Sequence, residues 1–158
     1  MEWNNLKECL NEYTEFIEEA VKNKMPTYYE LKDKIKFFLT INEYSFEICF
    51  SAPEYWKYAN YGRKPGKFPP PNAIDTWITR RRITPKASRG GKIPSRPQLV
   101  YLISRKIAKE GFKGSGFLEM GLDEQKDYWE DRIASAVSAD IENEMVSWLS
   151  PLMGETII

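Results

Sequence analysis

The charged residues of this chain are sorted along its length, and any fold it adopts has to accommodate that order. Residues 1–56 carry 6 Lys/Arg against 11 Asp/Glu, residues 57–113 carry 15 against 2, and residues 114–158 carry 2 against 10, so net charges of −5, +13 and −8 cancel to zero. A basic middle between acidic flanks can fold back and neutralise itself, meet acidic surfaces on neighbouring copies, or face nucleic acid. The count alone leaves all three open.

At 158 residues the chain has the length of one domain with one core, and the expectation is a single unit over 1–158. A hydrophobic content of 42% with 14% aromatic residues is too rich for a disordered chain. The longest apolar runs, Phe37–Leu39 and Leu99–Ile103, are too short to cross a bilayer, so no membrane partner is expected. Met1–Asn5 lacks the basic and apolar regions of a secretory signal, which predicts synthesis in the cytoplasm. Cys9 and Cys49 sit in apolar contexts with no CxxC spacing and are read as buried structural thiols.

Periodicity predicts an α+β fold: a small antiparallel sheet, formed by a hairpin over about 31–50, packed against an N-terminal helix, two central helices and a long C-terminal helix. Trp3, Leu6, Leu10, Tyr13, Ile17 and Ala20 recur at spacings of three and four, which gives a helix over 2–24 stopped by Pro26. Residues 31–41 then alternate, with Ile35, Phe37, Leu39 and Ile41 on one side, and 44–50 continue the alternation across a two-residue connection at Asn42-Glu43. Ser51-x-x-Glu54 has capping-box spacing and predicts a short helix carrying Tyr55, Trp56 and Tyr58, ended by Gly62. Residues 62–71 hold too many prolines and glycines for regular structure and read as a stiff connector. A helix at roughly 71–82 follows, with Ile74, Trp77 and Ile78 as its buried stripe. A basic, glycine-containing loop occupies about 84–95. Ser95-Arg96-Pro97 starts the next helix, whose apolar stripe is Leu99, Leu102, Ile103 and Ile107, and Gly111 ends it. After the turn at 113–116, Leu122, Trp129, Ile133, Val137, Ile141, Met145 and Trp148 mark the longest helix. Pro151 is expected to stop it, leaving an apolar tail at 150–158 that either docks on a neighbour, pairs along a sheet edge or stays disordered.

The chain contains no histidine, which removes the commonest general base and every Ser-His or Cys-His nucleophile. The basic segment holds only two acids, Asp75 and Glu110, on separate predicted helices, which is weak support for a magnesium nuclease. Its glycines fit neither a phosphate-binding loop nor a dinucleotide fingerprint. Acid pairs such as Asp123-Glu124 and Glu130-Asp131 read as a solvated helix face. No catalytic residue, metal site or cofactor is expected, and the function class is binding and assembly.

Tyr58-Ala-Asn-Tyr61-Gly62-Arg63-Lys64-Pro65-Gly66-Lys67-Phe68-Pro69-Pro70, followed by Ile74-x-x-Trp77-Ile78, resembles the tail-completion (neck, or head-tail joining) proteins of tailed phages. The order of features continues through the basic loop, the helix around 102–111 with Gly111, and the Lys113-Gly-Ser-Gly-Phe117 element, so that residues 53–118 carry the resemblance. It implies a structural virion subunit, made in the host cytoplasm and located in the neck, that forms a ring of six or twelve copies. Such a ring joins the portal or connector to the tail proteins and surrounds the path of genomic DNA. On that reading Arg80, Arg81, Arg82, Lys86, Arg89 and Lys92 either touch phosphates in the lumen without sequence preference or form contacts between subunits. Gly62, Pro65 and Gly66 fix the connector's path, and Arg63 anchors it by pairing with an acid or bridges subunits. Tyr55, Trp56, Tyr58 and Tyr61 pack under the connector rather than stack on bases. The alternative function is a non-specific nucleic-acid-binding module using residues 57–113.

Overall fold

In chain order the elements are helix α1 (Asn4–Lys24), strands β1 (Lys36–Ile41) and β2 (Phe46–Ser51), helix α2 (Trp56–Tyr61), strand β3 (Gly62–Arg63), helices α3 (Pro71–Arg80) and α4 (Arg96–Glu110), strand β4 (Phe112–Lys113), and helices α5 (Phe117–Leu122) and α6 (Lys126–Gly154). The computed structural model describes residues 2–26, 30–87 and 90–154. The architecture is α+β, with an antiparallel hairpin, an N-terminal helix and a long C-terminal helix, as the periodicity predicts. The chain divides into two compact units, one made of residues 1–56 and 116–158, the other of the continuous stretch Lys57–Ser115.

The first unit is organised on α1, whose buried residues Leu6, Leu10, Ile17 and Val21 return at helical spacing and pack against β1, α5 and α6. Gly121 of α5 lies so close to Val21 that an added Cβ would stand 2.6 Å from its Cα, so the absent side chain sets the distance between these two helices. Phe117, fully buried, and Trp129 complete the core. The Trp129 ring lies 5.1 Å from Tyr13 and 5.4 Å from Phe16, with the Arg132 guanidinium 5.1 Å from its centroid. Cys9 is buried on α1, and that burial pushes its thiol pKa up, whereas Cys49 is half-buried on β2.

Several boundaries differ from the sequence expectation. Residues 32–34 form a 3-10 turn, so the strand begins at Lys36; Leu31 and Ile35, both buried, are four residues apart and belong to a helical rather than an alternating pattern. The hairpin connection is four residues, with Asn42 N–H donating to the Ser45 carbonyl at 2.9 Å and Ile41 paired with Phe46. Neither sheet face is fully buried: Phe37 and Phe50 pair across the strands with centroids 5.0 Å apart, while Phe38 and Ile41 stay exposed. Ser51 ends β2 instead of capping a helix, and α2 starts at Trp56 after a turn in which its N–H donates to Pro53. The long C-terminal pattern is cut at residues 123–125, where Gln125 takes φ 56°, separating α5 from α6. Pro151 does not stop α6: it lies in the exposed last turns, where the carbonyl that loses an amide partner can bond to water instead. Of the predicted tail at 150–158, residues 150–154 are therefore helical and 155–158 lie outside the described residues.

Candidate interaction surface

The second unit is built on a backbone crossing. Gly62 ends α2 with φ +78° and pairs with Lys113, while Arg63 pairs with Phe112, in a two-residue antiparallel ladder where the sequence predicts a structureless connector. A Cβ on Gly62 would overlap the Phe112 carbonyl oxygen, and one on Gly111, at φ +69°, would overlap the carbonyl oxygen of Arg63. Both positions therefore require glycine for handedness and for close approach. Gly66 N–H donates to the Ala108 carbonyl at 2.8 Å, which fastens the connector to the last turn of α4. Arg63 does anchor the connector, but through a backbone carbonyl rather than an acid, its Nη2 donating to Lys67 O at 2.7 Å. Pro65 follows that anchor, and Phe68 stacks on Tyr101 of α4 with centroids 6.2 Å apart.

Pro69 and Pro70 deliver the chain to α3, where Pro71 occupies the first turn, a position in which the missing N–H costs nothing. Ser95 starts α4, and its N–H donates to the Gln98 side chain at 2.9 Å in a capping box. Arg96 ties the start of α4 to the middle and last turn of α3. Arg96 Nε donates to Asp75 Oδ1 at 2.6 Å, and its Nη2 donates to the Asp75 carbonyl at 2.8 Å and to the Thr79 hydroxyl. Asp75 is thus committed to an ion pair. Among the described residues no cluster of three or more acids or cysteines is placed to hold a metal. No helix among them is long and apolar enough to cross a membrane.

Between α3 and α4 lies an open groove of about 560 Å³, walled by Pro69, Pro70, Pro71, Val100 and Tyr101. At its floor is Ser104, 3% exposed, whose hydroxyl has no hydrogen-bond partner. Spacing predicts Leu99, Leu102, Ile103 and Ile107 as the buried stripe of α4; of these Leu102 is exposed and Leu99, Ile103 and Ile107 are half-buried, while Ser104 is the one fully buried residue of this helix. Its position three residues after Tyr101 and four after Val100 was the available signal.

The basic residues are placed as follows. Arg80, exposed, closes α3; Arg81 is half-buried, its N–H donating to Trp77 O at 3.0 Å; Arg82 is exposed in the left-handed region with φ 49°. These three are consecutive at one helix end, whereas Lys86 and Lys92 lie farther along the irregular stretch, both exposed. Arg89 lies outside the described residues. The aromatic residues depart from expectation. Trp77 is 43% exposed instead of buried beside Ile74 and Ile78, and Tyr55, Tyr58 and Tyr61 are exposed rather than packed under the connector. Trp56 is half-buried and packs edge-on against Phe50, ring centroids 4.9 Å apart. Phe117 belongs to the other unit's core.

The division of the fold reproduces the division of charge. Lys57–Ser115 contains 15 Lys/Arg and 2 Asp/Glu, net +13, and the remaining residues contain 8 and 21, net −13. The protein is two compact bodies of opposite sign. No family of proteins, no characterised protein and no solved structure matches this chain.

Proposed function

We propose that this chain is a structural subunit of a tailed-phage virion, a neck or tail-completion protein that assembles into a ring joining portal and tail around the DNA path. The observation that carries the reading is the coincidence of three boundaries: the basic segment, the compact unit Lys57–Ser115, and the stretch 53–118 that resembles that family. A subunit with bodies of net +13 and −13 is suited to head-to-tail contact, because the basic body of one copy attracts the acidic body of the next while like bodies repel. Clamping by Gly62, Gly111 and Arg63 supports the same reading, since it gives the family-like residues a shared role in holding one backbone crossing.

Removing the gene from the phage genome tests this. Loss of the subunit leaves filled heads and separate tails, and purified protein added to that lysate restores joined particles; normal yields of joined, infectious virions without it contradict the proposal. The second reading, a non-specific nucleic-acid-binding module, draws on the same net +13 body and is separated from the first by the affinity of the free chain for DNA.

A further inference from the structure

Two surface features have no use within either unit. The last turns of α6 project Ile141, Met145 and Trp148 at steps of four and three, a single apolar stripe, and all three are exposed, Trp148 to 70%. Glu142 and Glu144 accompany the stripe, and no Lys or Arg occurs after Arg132. The other feature is the groove between α3 and α4, with flat proline and tyrosine walls and the buried, unpartnered hydroxyl of Ser104 at its floor. One wall of that groove is α4, which carries Arg105, Lys106 and Lys109 beyond the Arg96–Asp75 ion pair at its start.

These features are complementary in polarity and charge. We infer that the exposed end of α6 in one copy docks into the α3–α4 groove of a second copy, seating Trp148 against Pro69–Pro71 and Tyr101. The inference rests on the ring reading and names the contact that builds the ring. Proline rings and a tyrosine face offer apolar planes to an indole. The glutamates of the stripe meet the cations of α4, and the same acids oppose pairing of two α6 ends, so α6 meets a different surface of its neighbour, and on the ring reading the contact passes head to tail from copy to copy as a heterologous one. A heterologous contact closes into a ring or propagates as a filament.

The test uses the full-length chain with a photoreactive benzophenone side chain in place of Leu149, an exposed residue beside Trp148. Equal amounts of this protein and of an isotope-labelled copy without the probe are irradiated at high concentration, and adducts are mapped by mass spectrometry. Adducts on residues 68–71 and 97–104 of the labelled copy are expected. Adding Trp148→Ala to the probe chain lowers their yield by about tenfold, as for removal of a buried aromatic anchor, and raised salt lowers it further. Adducts within one chain, adducts on the second copy's α6, or no adducts overturn the inference. The two proposals fail separately: a chain found in virions without this adduct refutes only the α6–groove docking, and an adduct from a chain absent from virions keeps the docking and refutes the neck assignment.

Discussion

The Asp140 carboxylate of α6 caps the N-terminus of α1, accepting the Leu6 backbone N–H at 2.9 Å and the Asn5 backbone N–H at 3.0 Å. The Asn5 side-chain amide adds a third bond at 2.8 Å, from a partner 135 positions away in sequence. Helix α1 has no cap of its own at Trp3, so the first-turn amides that a Ser or Asp normally satisfies locally are satisfied across the fold. A negative charge at that helix end is also favoured by the helix dipole.

This cap makes the first unit acid-sensitive. Burial of Asp140 works against its charge, yet the donated N–H groups outweigh it and hold the carboxyl below the usual range. For Glu18 burial likewise opposes the charge, but Lys22 at 2.6 Å and the Phe37 N–H at 2.8 Å hold the pKa down. Both groups are more acidic folded than unfolded, so the unfolded chain binds protons first as pH falls. Their stabilisation is present above the unfolded value of about 4 and disappears as pH drops through the lowered folded values. Asp140→Asn lowers the melting temperature at neutral pH and flattens its decline in acid; differential scanning calorimetry from pH 7 to pH 2.5 reads both effects.

Gly62→Ala places a methyl group into the Phe112 carbonyl at a backbone angle that L-residues avoid. The conformational penalty alone exceeds about 1 kcal/mol, and the overlap adds to it. Limited proteolysis of the variant is expected to open Lys57–Ser115 first and more readily than in Gly91→Ala, which shares the left-handed angle at φ +73° but meets no neighbouring atom and so isolates the contribution of the overlap.

Trp129 is 5% exposed and its indole N–H has no hydrogen-bond partner. Trp129→Ala removes the ring that Tyr13, Phe16 and Arg132 pack against and costs about 3–5 kcal/mol in urea unfolding. Trp129→Phe keeps much of the bulk while removing an unsatisfied buried donor, and is expected to cost about 1 kcal/mol or less.

How much of this was legible in the sequence depended on whether the signal was local. Helix α1 and helix α4 were, since Pro26, Ser95, Gln98 and Gly111 sit beside the elements they bound. The break at Gln125 was not, because the apolar pattern runs on through a residue that happens to adopt a left-handed angle. Spacing places Trp77 in a buried stripe and Trp148 in the apolar pattern of the longest helix, but spacing names a face without saying whether anything covers it. The role of Asp140 is written in neither neighbourhood, as its partners lie at the other end of the chain. For the interaction surface, the charge sorting was visible from composition, whereas the groove floor at Ser104 and the Gly62–Lys113 ladder arise from pairings between distant segments.

The nucleic-acid alternative makes a different demand on the free protein. The acidic body repels DNA while the basic body attracts it, so the full-length chain is expected to bind duplex DNA no more tightly than the micromolar-to-weaker range typical of non-specific contact at physiological salt. Fluorescence anisotropy across a salt series measures it. Replacing Arg80, Arg81 and Arg82 by serine should reduce whatever salt slope is present by about 0.9 for each phosphate that the variant no longer neutralises. Submicromolar binding at physiological salt that vanishes in this variant favours the alternative.

The most direct test of the virion reading is quantitative mass spectrometry of purified phage particles released by cells that carry this gene. A few to a few tens of copies per particle, in fixed ratio to the portal subunit, is the predicted result. Absence of the chain from purified, infectious particles contradicts it.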